Sequence, residues 1–527
     1  MSIAVSRLNR QDPPVTGSDR RYGRSILVVA LAGFALSACA LGPDFRTPPA
    51  PKVAAYTAKP VTIKTAAAGG PAGAKQHFKL GAEISGDWWH IFHAADLNST
   101  IKLAVADNLT LAEARANLGQ AEAEVAVARG AYFPQINGSA GASRQDFSYL
   151  QIGQNAAGPV YSLYSTGANV SYPLDIFGLA RRTVEAQTAL ASVKRAELAA
   201  AYLTLTGNVV SEAINIAGLR AQISAVDELI QVDKKNLALV KAQVAAGAVA
   251  VSGPQLLSAE SQLAHDRTLS PSLYQELSVA RHALALLLGR APAQWSPPAF
   301  DFADFTLPEK LPVSLPSVLV RRRPDILAAE AGLHAASARI GIATAELYPQ
   351  ITIGAAGSFN SLTAAKLFTP PGRLWSLGAS LTLPIFHGGA LEAQKRAAIA
   401  AYRGAAAAYK QTVLQAFTQV ADVLRALSHD AELLQAEVHA LNTAKKELEY
   451  SRTSLTAGAF STLQLLDATR QYQQAKLGYV RAVAQRYQDT ARLFVAMGGG
   501  WWQPESPFHA AAVPESGYRE IEWSTTK

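Results

Sequence analysis

Two stretches of this chain, Ala180 to about Ala245 and Ala390 to about Ala457, each run about 65 residues without a proline. Apolar positions recur along both at helical spacing, and at 1.5 Å per residue each helix reaches roughly 100 Å. Mean helices run about 11–12 residues, so no ordinary compact domain holds these two. Alanine fills many of their apolar positions, which lets neighbouring helices approach closely. Each ends at a glycine turn, Ala245-Ala246-Gly247 and Ala457-Gly458. A second helical pattern then returns, from Pro254 to Leu288 and from Thr462 to Met497. The chain therefore encodes two long helical hairpins.

Upstream of each hairpin the period changes abruptly. Ala131-Tyr132-Phe133-Pro134-Gln135-Ile136 and Glu346-Leu347-Tyr348-Pro349-Gln350-Ile351 both follow alanine-rich helical patterns. Proline lacks a backbone N–H and pushes the residue before it toward extended geometry, so a helix stops there and a strand can begin. The two prolines are 215 positions apart (349 − 134). Leu109, Leu111, Ala112, Ala114, Ala121 and Gln135 align with Pro324, Ile326, Leu327, Ala329, Ala336 and Gln350 at the same offset. One architecture is built twice.

After each switch come two alternating runs: about 136–147 and 163–174 in the first half, about 351–361 and 374–384 in the second. Ile351, Ile353, Ala355 and Phe359 alternate with Thr352, Ser358 and Asn360. Trp375, Leu377, Ala379, Leu381 and Leu383 alternate with Ser376, Ser380 and Thr382. Runs of about 10 to 12 residues suit a tilted strand crossing a bilayer, and equally a half-buried sheet in water.

The N-terminus favours the membrane. Arg20, Arg21 and Arg24 precede an apolar run, Ser25 to Leu36, that is too short to span a bilayer and reads as a signal-peptide core. It ends in Leu36-Ser37-Ala38-Cys39, similar to a bacterial lipobox, which makes Cys39 the expected lipidation site. Ala40 after it resembles the outer-membrane sorting pattern. Cys39 is the single cysteine, so disulfides within the chain are excluded. The chain then divides into a signal peptide (1–38), a lipidated N-terminal tether rich in Pro, Ala, Gly and Lys (39–86), a first repeat (87–317), a second repeat (318–500) and a C-terminal tail (501–527).

Enzyme chemistry finds no foothold. There is no phosphate-binding Gly-Lys-Ser loop, no nucleophile elbow and no cysteine-based metal site, so catalytic residues, metal and cofactor are all expected to be none. His90 and His93 sit at i, i+3 without a third ligand, and packing beside Trp88 and Trp89 accounts for them. The formal charge of +8 is spread along the chain with no basic stripe interleaved with aromatics, which speaks against nucleic acid. Arg321, Arg322 and Arg323, ahead of Pro324 at a helix start, are expected to be solvated or interfacial.

Taken together, Gly42-Pro43-Asp44-Phe45, Trp88-Trp89, Tyr132-Phe133-Pro134, Ser171-Tyr172, Asp175-Ile176-Phe177-Gly178, Arg321-Arg322-Arg323-Pro324-Asp325-Ile326, Leu465-Leu466-Asp467-Ala468 and Ala496-Met497-Gly498-Gly499-Gly500-Trp501 resemble, in order and spacing, the TolC-like outer membrane factors, and within them the NodT-type efflux lipoproteins. The resemblance covers nearly all of the chain after Cys39. It implies an α+β membrane protein with four strands per protomer. Three copies form a twelve-stranded outer membrane β-barrel continued by an α-helical coiled-coil tunnel through the periplasm. It also implies a homotrimer that works with a periplasmic adaptor (membrane fusion) protein and an inner membrane RND-type pump, seated in outer membrane lipid. Function is then that of an exit duct for small toxic compounds; the alternatives are a protein-secretion duct and a lipid-anchored coiled-coil scaffold.

Leu463 and Asp467 lie at i and i+4 just past Gly458 and share one helix face. In the family, matching positions line the periplasmic aperture, which makes Leu463 an expected apolar ring and Asp467 an expected ring of three carboxylates. The alternative pairs Asp467 with Arg470 or Lys241. Some relatives carry a second acidic ring where Gln464 stands and polar latch residues where Leu455 and Phe460 stand, so closure here is expected to rest on apolar packing.

Overall fold

The computed structural model describes residues 40–58, 64–146, 153, 158–246 and 253–511. The signal segment, Cys39, Gly247 and the tail beyond residue 511 lie outside the described residues. Within them the predicted order of elements recurs in each half. Helices α1 (Ala95–Asp107) and α2 (Leu109–Arg129) lead into strands β2 (Gln135–Asp146) and β3 (Val160–Leu174), then α3 (Leu179–Ala245) and α4 (Gly253–Leu287). Helix α5 (Pro324–Ala345) leads into β5 (Gln350–Ser361) and β6 (Arg373–Thr382), then α6 (Ala390–Thr456) and α7 (Thr462–Ala496). Both long helices hold 67 residues and both return helices hold 35. Helix α4 runs straight through Pro271, whose interior position costs about 3 kcal/mol that packing must offset.

The chain forms two compact units that cut across the sequence repeats. One gathers Ala126–Ala186 and Ala336–Ala401 with the segment ending at Phe45. It contains an antiparallel sheet in the order β2-β3-β5-β6. Asp175 ends β3 and starts α3: its carboxylate accepts the backbone N–H groups of Ala180 (2.9 Å) and Arg181 (3.0 Å), donors that have no partner inside the helix. One turn on, buried Arg182 donates to the Asp44 carboxylate (2.8 Å), the Glu185 carboxylate (2.7 Å) and the Leu41 carbonyl (3.0 Å). The chain just after Cys39 is thus clamped to the first turn of α3.

The second unit gathers Arg46–Val125, Gln187–Ala335 and the chain from Tyr402. Its core is aromatic: Trp88 stacks on Phe494 with centroids 5.4 Å apart, and Phe92, Phe302 and Phe305 surround Tyr487. Here the tether expected over 39–86 needs correction in its later part. β1 (His77–Leu80) pairs in parallel with β4 (Lys310–Val313), a two-stranded sheet that four-residue runs with no clear alternation did not announce. Fully buried Arg486 on α7 explains the docking. Its guanidinium donates to the carbonyls of Ala72 (2.6 Å) and Ala74 (2.8 Å) and to Thr65 Oγ1 (3.0 Å). Low hydrophobicity did not keep this segment on the surface, because its backbone satisfies a buried cation.

Replacing Arg486 with Met keeps the volume and strands two carbonyls. We expect Arg486→Met to cost about 3 kcal/mol and to make residues 64–76 cleavable by protease while α6 and α7 stay protected; limited proteolysis with mass mapping checks both.

Candidate functional site

Two surfaces carry the expected function, and the first is the four-stranded sheet. Residues paired directly across antiparallel strands share a face, so the register decides whether the alternations reinforce one another. They do. Ile136 pairs with Val170, Val170 with Ala355 and Ala355 with Leu377, while one step along Asn137 pairs with Asn169, Asn169 with Ala356 and Ala356 with Ser376. Ile351, Ile353, Leu381 and Trp375 extend the apolar face. Leu163 and Leu374, near the 147–159 and 362–372 connections, interrupt the polar one. No described residue covers the apolar rows of β6: Trp375 is 77% exposed, and Leu377 and Leu381 are almost as open. In water such a patch is a liability; in lipid it is at rest.

The second surface is the end of the α6–α7 hairpin. Gly458 takes φ +74°, and the N–H of Ala459 donates to the Ser454 carbonyl at 2.9 Å, closing the helix with a left-handed turn. Ser461 then opens α7 in a reciprocal cap, its N–H donating to Gln464 Oε1 at 2.7 Å while its hydroxyl accepts from the Gln464 N–H. Gln464 is therefore committed to capping. Leu465 and Ala468 pack against Leu448, with Leu455 alongside, and Phe460 meets Tyr450 edge-on at 5.6 Å. The opposite face carries Leu463, 59% exposed, and Asp467. Asp467 takes Arg470 as its partner and also accepts from Gln471 Nε2 at 2.9 Å. Lys241 pairs with Glu260 instead, at 2.9 Å.

Other residues singled out from sequence have structural employment. His90 sits 3.4 Å from the Asp87 carboxylate and edge-on to Trp89, and His93 ends that turn with φ +52°. Two of the three arginines before Pro324 are staples within the second unit, not solvated charges. Arg322 grips Glu83 with two bonds (2.7 and 2.8 Å) and lies over the Trp502 ring. Arg323, buried, reaches Asp325 (2.7 Å), the Ala496 carbonyl (2.9 Å) and Gln419 (2.8 Å). The Arg322 guanidinium holds the Glu83 carboxyl below its usual range.

Sequence reasoning passed over two carboxyl pairs inside the hairpins. Asp233 on α3, 2% exposed, faces buried Asp266 on α4, and neither Asp233 oxygen has a partner unless one of the two carboxyls carries a proton. Burial, reinforced by the Asp266 carboxyl, pushes Asp233 up to about 8. Asp430 on α6 stands in the same relation to Asp489 on α7 and is likewise pushed up to about 8 by burial and its neighbour, against the opposing pull of Arg486 and Arg492. The signal was there for Asp233: Val226, Ile230, Leu237 and Val240 mark a buried seam, and Asp233 occupies an apolar position in it.

The sequence pattern of the family described as "Outer membrane efflux protein" matches residues 100–290 and 315–499. The chain is 30% identical to the pyoverdine export outer membrane protein OpmQ of Pseudomonas aeruginosa, over 79% of this chain and 87% of that protein. It is 29% identical to nodulation protein T of Rhizobium leguminosarum bv. viciae, over 92% and 96%. Among solved structures, the outer-membrane channel OprN superposes with a TM-score of 0.78 at 27% identity, covering 88% of this chain and all of that one.

The carboxyl pairs make helix packing depend on pH in one direction. In the unfolded chain an aspartate loses its proton near pH 4, whereas Asp233 and Asp430 hold theirs to about 8, so the stabilisation is complete below about pH 4 and is lost progressively up to pH 8. Lys234, Lys235, His265 and Arg267 beside the first pair are exposed to solvent. Unfolding midpoints between pH 5 and 9 are expected to fall with rising pH, and Asp233→Asn with Asp430→Asn to flatten that slope by about a few degrees over the range. Parallel slopes in wild type and variant count against proton sharing.

Proposed function

The chain belongs to the outer membrane efflux protein family, and from that premise we propose that it is the outer membrane exit duct of a tripartite efflux pump. The observation that carries this reading is the four-stranded sheet with register-aligned faces and two open edges, joined in sequence to twin hairpins of 67 and 35 residues. An open edge in hydrocarbon leaves several kcal/mol of unmet hydrogen bonding per exposed group, so chains must combine. Two copies give eight strands and a filled interior; three give twelve and a pore. The homotrimer, its twelve-stranded barrel and a coiled-coil tunnel in the periplasm follow from this and from the family likeness.

In this reading the apolar face meets outer membrane lipid and the polar face lines water. Cys39 carries the acyl anchor. A periplasmic adaptor and an inner membrane RND-type pump supply selection and energy, and the duct passes small toxic compounds down their gradient. Leu463 forms the narrow apolar ring of the periplasmic aperture, with Asp467 one turn away. Because Arg470 and Gln471 on the same helix satisfy the Asp467 carboxylate, the ring is a belt of ion pairs with a muted negative charge. Passage is then limited by packing more than by charge. The two repeats, 87–317 and 318–500, each supply one hairpin and half of the strands.

Single-channel recording of the purified trimer tests the duct. Leu463→Ala with Asp467→Ala is expected to raise conductance about twofold or more with a small loss of cation preference; conductance equal to wild type places the constriction elsewhere. Mass spectrometry and light scattering test the assembly. Cys39 is expected to be N-terminal and acylated, in a trimer with no stable folded monomer, and an intact Met1–Ala38 segment or a well-folded monomer would overturn that part.

A further inference from the structure

The apolar face of the sheet does not end in plain hydrocarbon. On β6, Arg373 pairs in register with Phe359, so the two share the apolar face, with Trp375 next along it. Phe368, 74% exposed in the connection after β5, comes back over the same face and meets Phe359 edge-on at 5.6 Å. At the opposite edge of the sheet, Arg144 occupies the apolar face of β2 above Ala140 and Ala142. Neither arginine forms an ion pair with a described residue, and both are exposed. This end of the face also carries Ser162 opposite Arg144, Thr166 opposite Phe359 and one carboxylate, Asp146, two residues on from Arg144. Two guanidinium groups beside rows of Leu, Ile, Ala and aromatic side chains outnumber that carboxylate and suit an anion that comes with apolar chains attached.

We propose that the connection-side rim of this face, Arg144 and Arg373 with Phe359, Phe368 and Trp375, binds the phosphate groups of an acylated, phosphorylated glycolipid of the outer leaflet. The inference rests on the outer membrane channel reading, which puts the strand ends at Asp146 and Val160 and the 362–372 connection on the outside. From Leu381 to Arg373 is eight residues, about 27 Å along the strand, or about 19 Å of depth at a tilt near 45°. That rise carries the guanidinium from the apolar interior to the level of the head groups. Arginine matches phosphate with two parallel N–H donors, and aromatic rings settle at the same boundary and pack against the upper acyl chain. An acidic protein would satisfy the arginines but not the phenylalanines and tryptophan, which continue the rows formed by Leu377 and Leu381. Since β2 and β6 are the two edges, closure by identical copies brings an Arg373 rim and an Arg144 rim to every joint.

Native mass spectrometry of the full-length trimer, with diphosphoryl lipid A, its dephosphorylated form and phosphatidylcholine as probes, decides the matter. Wild type is expected to retain diphosphoryl lipid A and to discriminate against the other two. Arg373→Gln and Arg144→Gln should each weaken retention about fivefold, as befits about 1 kcal/mol per cation at a charged surface, and Arg373→Lys, which keeps the charge but loses the paired donors, should fall between wild type and Arg373→Gln. A conducting wild-type trimer that holds all three lipids equally overturns the inference and leaves the duct standing. So does undiminished binding by the double glutamine variant, which would assign the arginines to Asp146 of a neighbouring copy. Selective lipid binding by a trimer that conducts nothing would do the reverse.

Discussion

The structure depends on four strands that cannot be finished by one chain. β2 and β6 each present an unpaired row of backbone donors and acceptors, and the side chains of β6 point an apolar row at nothing. In an aqueous domain a helix or loop would cover such an edge, or charge would blunt it. No helix or loop among the described residues covers these edges, and in the proposed duct the remedy is another copy. The four strands alternate in direction, so β2 and β6 run opposite ways, and a β6 meeting the β2 of an identical neighbour continues the antiparallel pattern unbroken. Closure costs no change of register type, and abolishes every edge at once. In the proposed duct, oligomerisation is a condition of folding in lipid, not an addition to it.

The hairpins solve a different problem with a different currency of contacts. A 67-residue helix offers far more length than any single core can bury, so it is held by many small contacts: alanine against its neighbours, leucine seams in short clusters, and polar groups set between them. Asp233 interrupts one such seam. A buried ionised carboxylate would be costly there, but two carboxyls sharing a proton satisfy each other at modest cost and fix which residues lie opposite. Near the roots, Arg322, Arg323 and Arg486 act across long sequence separations, tying the segment around Glu83, the last turn of α7 and the chain near Ala72 together.

Much of this was legible before any coordinates. Helix α3 ends within the expected turn, β5 and β6 begin within a residue or so of where alternation predicts, and the proline switch falls where β2 and β5 start. Those signals are strong because they repeat over many residues and occur twice. What escaped was non-periodic. β1 and β4 are four residues each, too short for alternation to show, and their pairing spans more than two hundred positions. Arg323 was expected to be solvated or interfacial, as three arginines in a row before a helix usually are; its burial is dictated by the Ala496 carbonyl and Gln419, groups that only the fold brings near. The aperture shows both sides. The shared face of Leu463 and Asp467 is a matter of helical geometry, whereas the choice of Arg470 over Lys241 depends on rotamers and on Glu260 having already engaged the lysine.

That choice bears on what kind of gate a hairpin tip can be. An unpaired carboxylate ring repels itself; three like charges around a narrow axis weaken closure and favour cations at once. Pairing each carboxylate with an arginine three residues along the same helix removes the repulsion without requiring any contact between chains. Gln464 spends its side chain on capping α7 and so stiffens the turn that presents Leu463. Leu455 and Phe460 pack within their own hairpin. Asp467, Gln464, Leu455 and Phe460 thus all find partners inside one protomer. In the proposed trimer, closure then draws on the apolar Leu463 ring for attraction between copies, and apolar contact is short-ranged and is not screened by salt as charge is. An adaptor that parts the hairpins by a few ångströms would meet little resistance beyond that, which suits a duct opened by docking and not by voltage or ionic strength.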